Sequence, residues 1–146
     1  MGYNIQYLHA DIFIDAKDID SVYKAVTNLA NETHRGSGFV AQGGKIKSKH
    51  FAFVDTDGLR QSKTLEEALE QWNWKVGFDD EGNLRELYFL DTQKLGDEAI
   101  LFETIAPWVT DGSFILLAGE EGAISRWYFK DGVCKTQWAT LVFEDV

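Results

Sequence analysis

The chain has 146 residues, a net charge of −10 and a single cysteine, Cys134. That length fits one domain, 1–146, able to bury about two-thirds of its unfolded surface without a disulfide or a metal. The acidity argues against direct nucleic-acid binding, because a phosphate backbone calls for a basic footprint.

Residues 3–14 read as a strand. Tyr3, Ile5 and Tyr7 share one parity, and Leu8, Ala10, Ile12 and Ile14 the other, which predicts a bulge or sharp bend near Tyr7. Asp18 stands where it can cap a helix reaching about Asn31, with Ile19, Val22, Tyr23, Val26, Leu29 and Ala30 on its core face. Residues 34–63 are the least regular part. Gly36, Gly38, Gly43 and Gly44 interrupt any long element, so 34–50 is expected as a glycine-rich basic loop, followed by a short strand at 50–54. Thr64 and Glu67 then form a capping box for a second helix faced by Leu65, Ala68, Leu69 and Trp72.

The second half is more regular. Trp74, Val76 and Phe78 alternate with small or polar residues, 80–83 is a turn, and 84–90 returns as a strand. Gly96-Asp97-Glu98 opens a third helix, and Pro107 closes it because its ring disfavours helical geometry at Ala106. A meander follows at 113–118, 124–130 and 133–143, with turns at 119–122 and 131–132. With no βαβ alternation, the expected fold class is α+β: a mostly antiparallel sheet of about six strands with two or three helices packed on one face.

The string Trp72-Asn73-Trp74, Asp80-Glu81-Gly82-Asn83, Lys94-Leu95-Gly96-Asp97-Glu98, Ile105-Ala106-Pro107-Trp108-Val109, Gly119-Glu120-Glu121-Gly122 and Arg126-Trp127-Tyr128-Phe129 resembles a group of small bacteriophage and mobile-element proteins. The resemblance covers about residues 51–132. It implies no known activity, and the first 50 residues lie outside it. Related chains read Glu-Asp-Gly before Arg-Trp, whereas here the loop runs Glu121-Gly122-Ala123-Ile124-Ser125. These motifs also read plainly as a helix start, a helix stop and turns.

Each tested chemistry breaks at a residue it requires. Residues 38–45 approach a phosphate loop but miss its spacing, and Ile46 stands where Ser or Thr is needed. Arg35, Lys45, Lys47 and Lys49 still form a local run of four cations without an acid; taking them out of the net −10 leaves −14 on the rest. They are the candidate anion-binding residues, since a glycine-rich basic loop can present N–H groups and lysines to a nucleotide. Asp55, Asp57 and Glu66 lack the glycine and ligands of a calcium loop. His9, His34, His50 and Cys134 show no zinc spacing, and His9 reads as a half-buried strand residue. No nucleophile elbow is present, and no metal or cofactor is expected.

What remains is a non-catalytic binding protein. Five tryptophans are many for the length, and an exposed one beside an acidic turn makes an interface anchor. The candidate interface residues are therefore Asp79, Asp80, Glu120, Glu121 and Trp127, steering a basic protein partner. With the phage-like resemblance, this suggests an inhibitor of a host defence enzyme or an immunity-type antidote. The alternative is a small-ligand sequestering protein using the 34–50 loop, for which a homo-oligomer is one expected form. The residues after Met1 carry no basic segment ahead of an apolar run, and no stretch reaches the about 20 apolar residues of a membrane span, so the expected location is cytoplasmic, with no membrane attachment.

Overall fold

The computed structural model describes residues 2–146; Met1, the first residue of the expected domain, lies outside them. In chain order they form β1 (Asn4–Asp11), α1 (Ile19–Asn28), β2 (Gly38–Gln42), β3 (Lys45–His50), α2 (Thr56–Gln61), α3 (Leu65–Gln71), β4 (Lys75–Phe78), β5 (Leu84–Tyr88), β6 (Thr92–Lys94), α4 (Glu98–Ile105), β7 (Phe114–Gly119), β8 (Ile124–Lys130) and β9 (Val133–Trp138). The class is α+β, as the periodicities predict. The expected antiparallel sheet of about six strands is present with five, ordered β6-β1-β7-β8-β9, and two separate hairpins, β2-β3 and β4-β5, accompany it.

The phase change in β1 is real. Its pairing with β7 slips between Tyr7 and His9, which lets Ile5 and Ile12 both reach the core. The first helix stops at Asn28 and tightens to a 3-10 turn over Leu29–Asn31. Asp18 makes no side-chain cap; a preceding 3-10 turn is capped by Asp15, whose carboxylate accepts from the Lys17 N–H. The capping box at Thr64 forms, its hydroxyl accepting from the Glu67 N–H at 3.1 Å. Asn73, at φ 67°, ends α3 in the left-handed region and donates its side-chain amide to the Phe53 carbonyl at 2.7 Å.

The helices lie over one face of the main sheet. Ile115, Leu117, Trp127 and Phe129 point into that face, and Phe102 of α4 packs on it with its ring 4.6 Å from Trp127. Trp74, just before β4, enters edge-on, 5.0 Å from Phe89 and 5.2 Å from Phe102. Such edge-to-face contacts add about 0.5–1.5 kcal/mol per pair beyond the buried area. Besides β2 and β3, which fall in the expected 34–50 loop, two elements were not expected from the sequence: α2, capped by Asp55 accepting from the Gly58 N–H at 3.0 Å, and the three-residue β6. The expected strand at 50–54 does not form. His50 closes β3, and Phe51 turns inward to full burial against Trp72.

Candidate functional site

The residues 34–50, expected as a loop, are mostly a β-ribbon. Gly43 and Gly44, at φ 61° and 78°, supply the two positive-φ positions of a tight turn between Gln42 and Lys45. Every residue from Phe39 to Lys49 is exposed, and the ribbon pairs with no other strand. Its root is held firmly. One oxygen of Asp97, at the start of α4, accepts from the Ser37 N–H at 3.0 Å and from the Ala52 N–H at 2.7 Å. The clamp thus joins the chain entering the ribbon to the chain leaving it, beside the buried Phe51.

A bulge divides the lysines. Val40 faces Ser48 while Ala41 faces Ile46, so Lys47 is the extra residue and has no partner across the ribbon. Cross-strand partners share a face. Lys45, opposite Gln42, therefore lies on the face of Val40 and Ser48, whereas Lys49, opposite Phe39, lies on the other face with Ile46. Arg35 lies outside the ribbon and pairs with Glu32 at 2.8 Å. The four cations expected to cradle one anion are thus not brought together. What the ribbon presents instead is apolar: Phe39 and Ile46 are each 57% exposed and Val40 51%, flanked by lysines.

The acidic interface residues do not converge either. Asp79 organises its own turn: one oxygen accepts from the Glu81 and Asn83 N–H groups, and the other from the Asn83 amide and from Arg85 Nε at 2.9 Å. The Arg85 guanidinium, aided by these donors, holds the Asp79 carboxyl down to about 2. This turn leans on the 3-10 turn that follows β1, where Asn83 accepts from the Ala16 N–H. Glu120 sits at the other end of β1, accepting from the Asn4 N–H at 2.8 Å. Asp80 and Glu121 are exposed at these two separate turns.

Trp127, expected as an interface anchor, is buried at 5% exposure among Trp74 and Phe102 and offers nothing to a partner. The exposed indole is Trp138, at 65%, the last residue of β9. Strand alternation gives part of the reason. Trp127 shares parity with Phe129, which is fully buried, and faces the helices.

The candidate chemical groups have structural tasks. Burial, reinforced by the nearby Glu103 charge, pushes the Cys134 thiol up to about 12, far from nucleophilic use. His9 is exposed rather than half-buried, lying against Phe114 with ring centroids 6.0 Å apart. Asp55 caps α2, and Asp57 pairs with Arg60 at 3.1 Å. Among the described residues the one strongly buried carboxyl is Glu98, 4% exposed; burial raises it, while the Gly96 N–H donating to it at 2.6 Å works the other way. The Trp74 indole N–H lies beside the same carboxyl and favours its charged form, yet meets no acceptor at full hydrogen-bonding geometry. No helix among the described residues is long and apolar enough to cross a membrane.

Compared with known proteins, the chain matches no protein family, no curated protein and no solved structure.

Proposed function

We propose that the protein is a non-catalytic binder working by protein–protein contact, with the β2-β3 ribbon as its docking element. One observation carries this reading: three large apolar side chains, each more than half exposed, sit on a two-stranded ribbon held out from the fold. A two-stranded hairpin has no core of its own, so folding alone gives these residues nothing to pack on. A partner does. The flanking lysines favour a partner with an acidic rim around an apolar groove, and each strand has a free edge for main-chain pairing. Stoichiometric inhibition of an enzyme, or neutralisation of a toxin, in the cytoplasm is the activity that suits such a binder. The acidic turns at Asp79 and Glu120 stand apart and are not its primary surface.

The experiment is capture of partners from the cells that express the protein, comparing the wild type with Phe39→Ser plus Ile46→Ser. Both side chains are exposed, so the variant should keep its circular dichroism and melting temperature. The expected result is a stoichiometric complex present with the wild type, weakened by salt and lost with the variant. A complex that the folded variant retains at equal yield refutes the ribbon as the docking element.

A further inference from the structure

An antiparallel sheet with one face in water alternates apolar residues inward with polar residues outward. The central strand β7 does not. Ile115 and Leu117 fill the face under the helices, and the outward positions are Phe114, Leu116 and Ala118, all half-buried by their neighbours. Apolar residues on both faces mark a strand that is covered on both sides. Cross-strand partners share a face, so the pairing continues this outward surface onto β8 and β9. Tyr128 and Lys135 lie in the row of Phe114, Arg126 and Gln137 in the row of Leu116, and Ile124 beside Ala118.

The charge of this surface is opposite to that of the protein. It carries Arg126, Lys130 and Lys135, and the three strands β7, β8 and β9 contain no acid. None of the three cations pairs with a carboxylate among the described residues. A cleft of about 600 Å³ opens here, lined in part by Leu116, Ile124, Arg126 and Gln137. The matching occupant is an apolar segment with acids beside it. The chain contains one. Beyond β9, every residue of 139–146 is exposed. Leu141, Val142 and Phe143 are 79%, 71% and 87% exposed, and Glu144 and Asp145 follow them at once.

We propose that the 139–146 segment of a second copy lies on this outward surface, its Leu141, Val142 and Phe143 over Leu116 and Ile124, and its Glu144 and Asp145 against Arg126, Lys130 and Lys135. The lengths agree. Extended at about 3.3 Å per residue, Leu141 to Asp145 covers about 13 Å, within the about 20 Å that β8 runs from Ile124 to Lys130. The segment belongs to a second copy rather than the same one. The Ala139 N–H donates to the Ile124 carbonyl at 2.9 Å, so the chain still follows β8 at that point. Folding back onto its own surface would need a reversal over Ala139, Thr140 and Leu141, where none of the Gly, Asn, Asp or Pro of tight turns is present. Each segment leaves its sheet at the Ile124 end, where the surface it would cover also begins, so a single two-fold axis exchanges the pair. This surface is separate from the ribbon, and neither reading depends on the other.

The test is sedimentation equilibrium of the full chain at moderate salt, where the long-range repulsion between two copies of net charge −10 is screened. A reversible dimer is expected. Leu141→Ser plus Phe143→Ser should weaken it at least about hundredfold, because two large side chains lose their burial. Both positions are exposed, so the circular dichroism should stay that of the wild type. Lys130→Glu plus Lys135→Glu, and separately Glu144→Lys plus Asp145→Lys, should each weaken the dimer about tenfold or more. Mixed together, these two charge variants should recover a heterodimer, because each segment then meets a surface of opposite sign. Phe39→Ser plus Ile46→Ser should leave the dimer unchanged. A monomer at every concentration, a dimer retained by folded Leu141→Ser plus Phe143→Ser, a dimer lost with the ribbon variant, or no heterodimer from the mixed charge variants overturns the proposal.

Discussion

Asp97→Ala isolates the ribbon from the rest of the fold. The Asp97 carboxylate makes no side-chain cap for α4 and instead accepts the Ser37 and Ala52 N–H groups at the root of the ribbon. The Ala52 bond is partly buried and short, so leaving its N–H unmatched costs about 1–3 kcal/mol. The Ser37 N–H is exposed and regains water, so it contributes less. Loss of an acid at the helix start adds about 0.3–1 kcal/mol. A total near 2 kcal/mol follows, and most of it should appear as local opening of the ribbon rather than global unfolding. Hydrogen exchange at the ribbon amides should accelerate by about 30-fold, while the β7 and β8 amides change little. Asp97→Asn keeps an oxygen acceptor without the charge and should fall between. If the ribbon amides are unchanged while global stability drops, Asp97 serves only the helix, and the clamp argument fails.

Glu98 should make stability depend on pH. Burial raises its folded pKa above the ordinary value of 4.5, so its contribution is fully present below that value and is lost as pH rises through the folded pKa. Glu98→Gln keeps an oxygen for the Gly96 N–H, so in thermal melts it should stabilise the protein at neutral pH and lose that advantage in acid. Cys134, with its thiol pushed up to about 12, should alkylate far more slowly in the native protein than in denaturant; equal rates with iodoacetamide would show the thiol to be freely ionising.

Most elements with a clean period were legible. The slip at Tyr7, the capping box at Thr64 and the β7–β9 meander follow from alternation and turn chemistry that neighbouring strands then reinforce. The ribbon was not, and its bulge explains why. The extra residue at Lys47 breaks the alternation of β3, so the segment shows glycines and charge but no strand period. β6 carries only three residues, below any pattern length. Site reasoning failed where it depended on direction rather than identity. Trp127 and Trp138 share one face of the sheet, Trp138 pairing with Ser125, so their different exposure is set by what packs over each position rather than by alternation, and the surroundings of Arg126 are visible only once Gln137 and Tyr128 are placed beside it. A count of tryptophans and charges holds none of that.

The net charge of −10 points to basic partners, but the arrangement of charge points elsewhere. Lys24, Arg35, Arg60 and Arg85 all pair with local carboxylates, whereas Lys45, Lys47, Lys49 and Arg126 pair with none among the described residues. The acids are spent on turns and caps: Asp79 within its own loop, Asp97 at the ribbon root and Glu120 against Asn4. Unpaired cations that cluster, as on the ribbon, are where an anionic group gains most, since a charge acts strongly only within about 10 Å at moderate salt. The acidic remainder repels the same group at longer range, which slows approach without weakening the contact once made. The two fields also screen differently. Raising salt relieves the long-range repulsion first and weakens the close contact last, so association at the ribbon should be fastest at intermediate ionic strength. A partner held by the acidic turns would instead associate more slowly at every addition of salt, and that difference separates the two surfaces without any substitution in the chain.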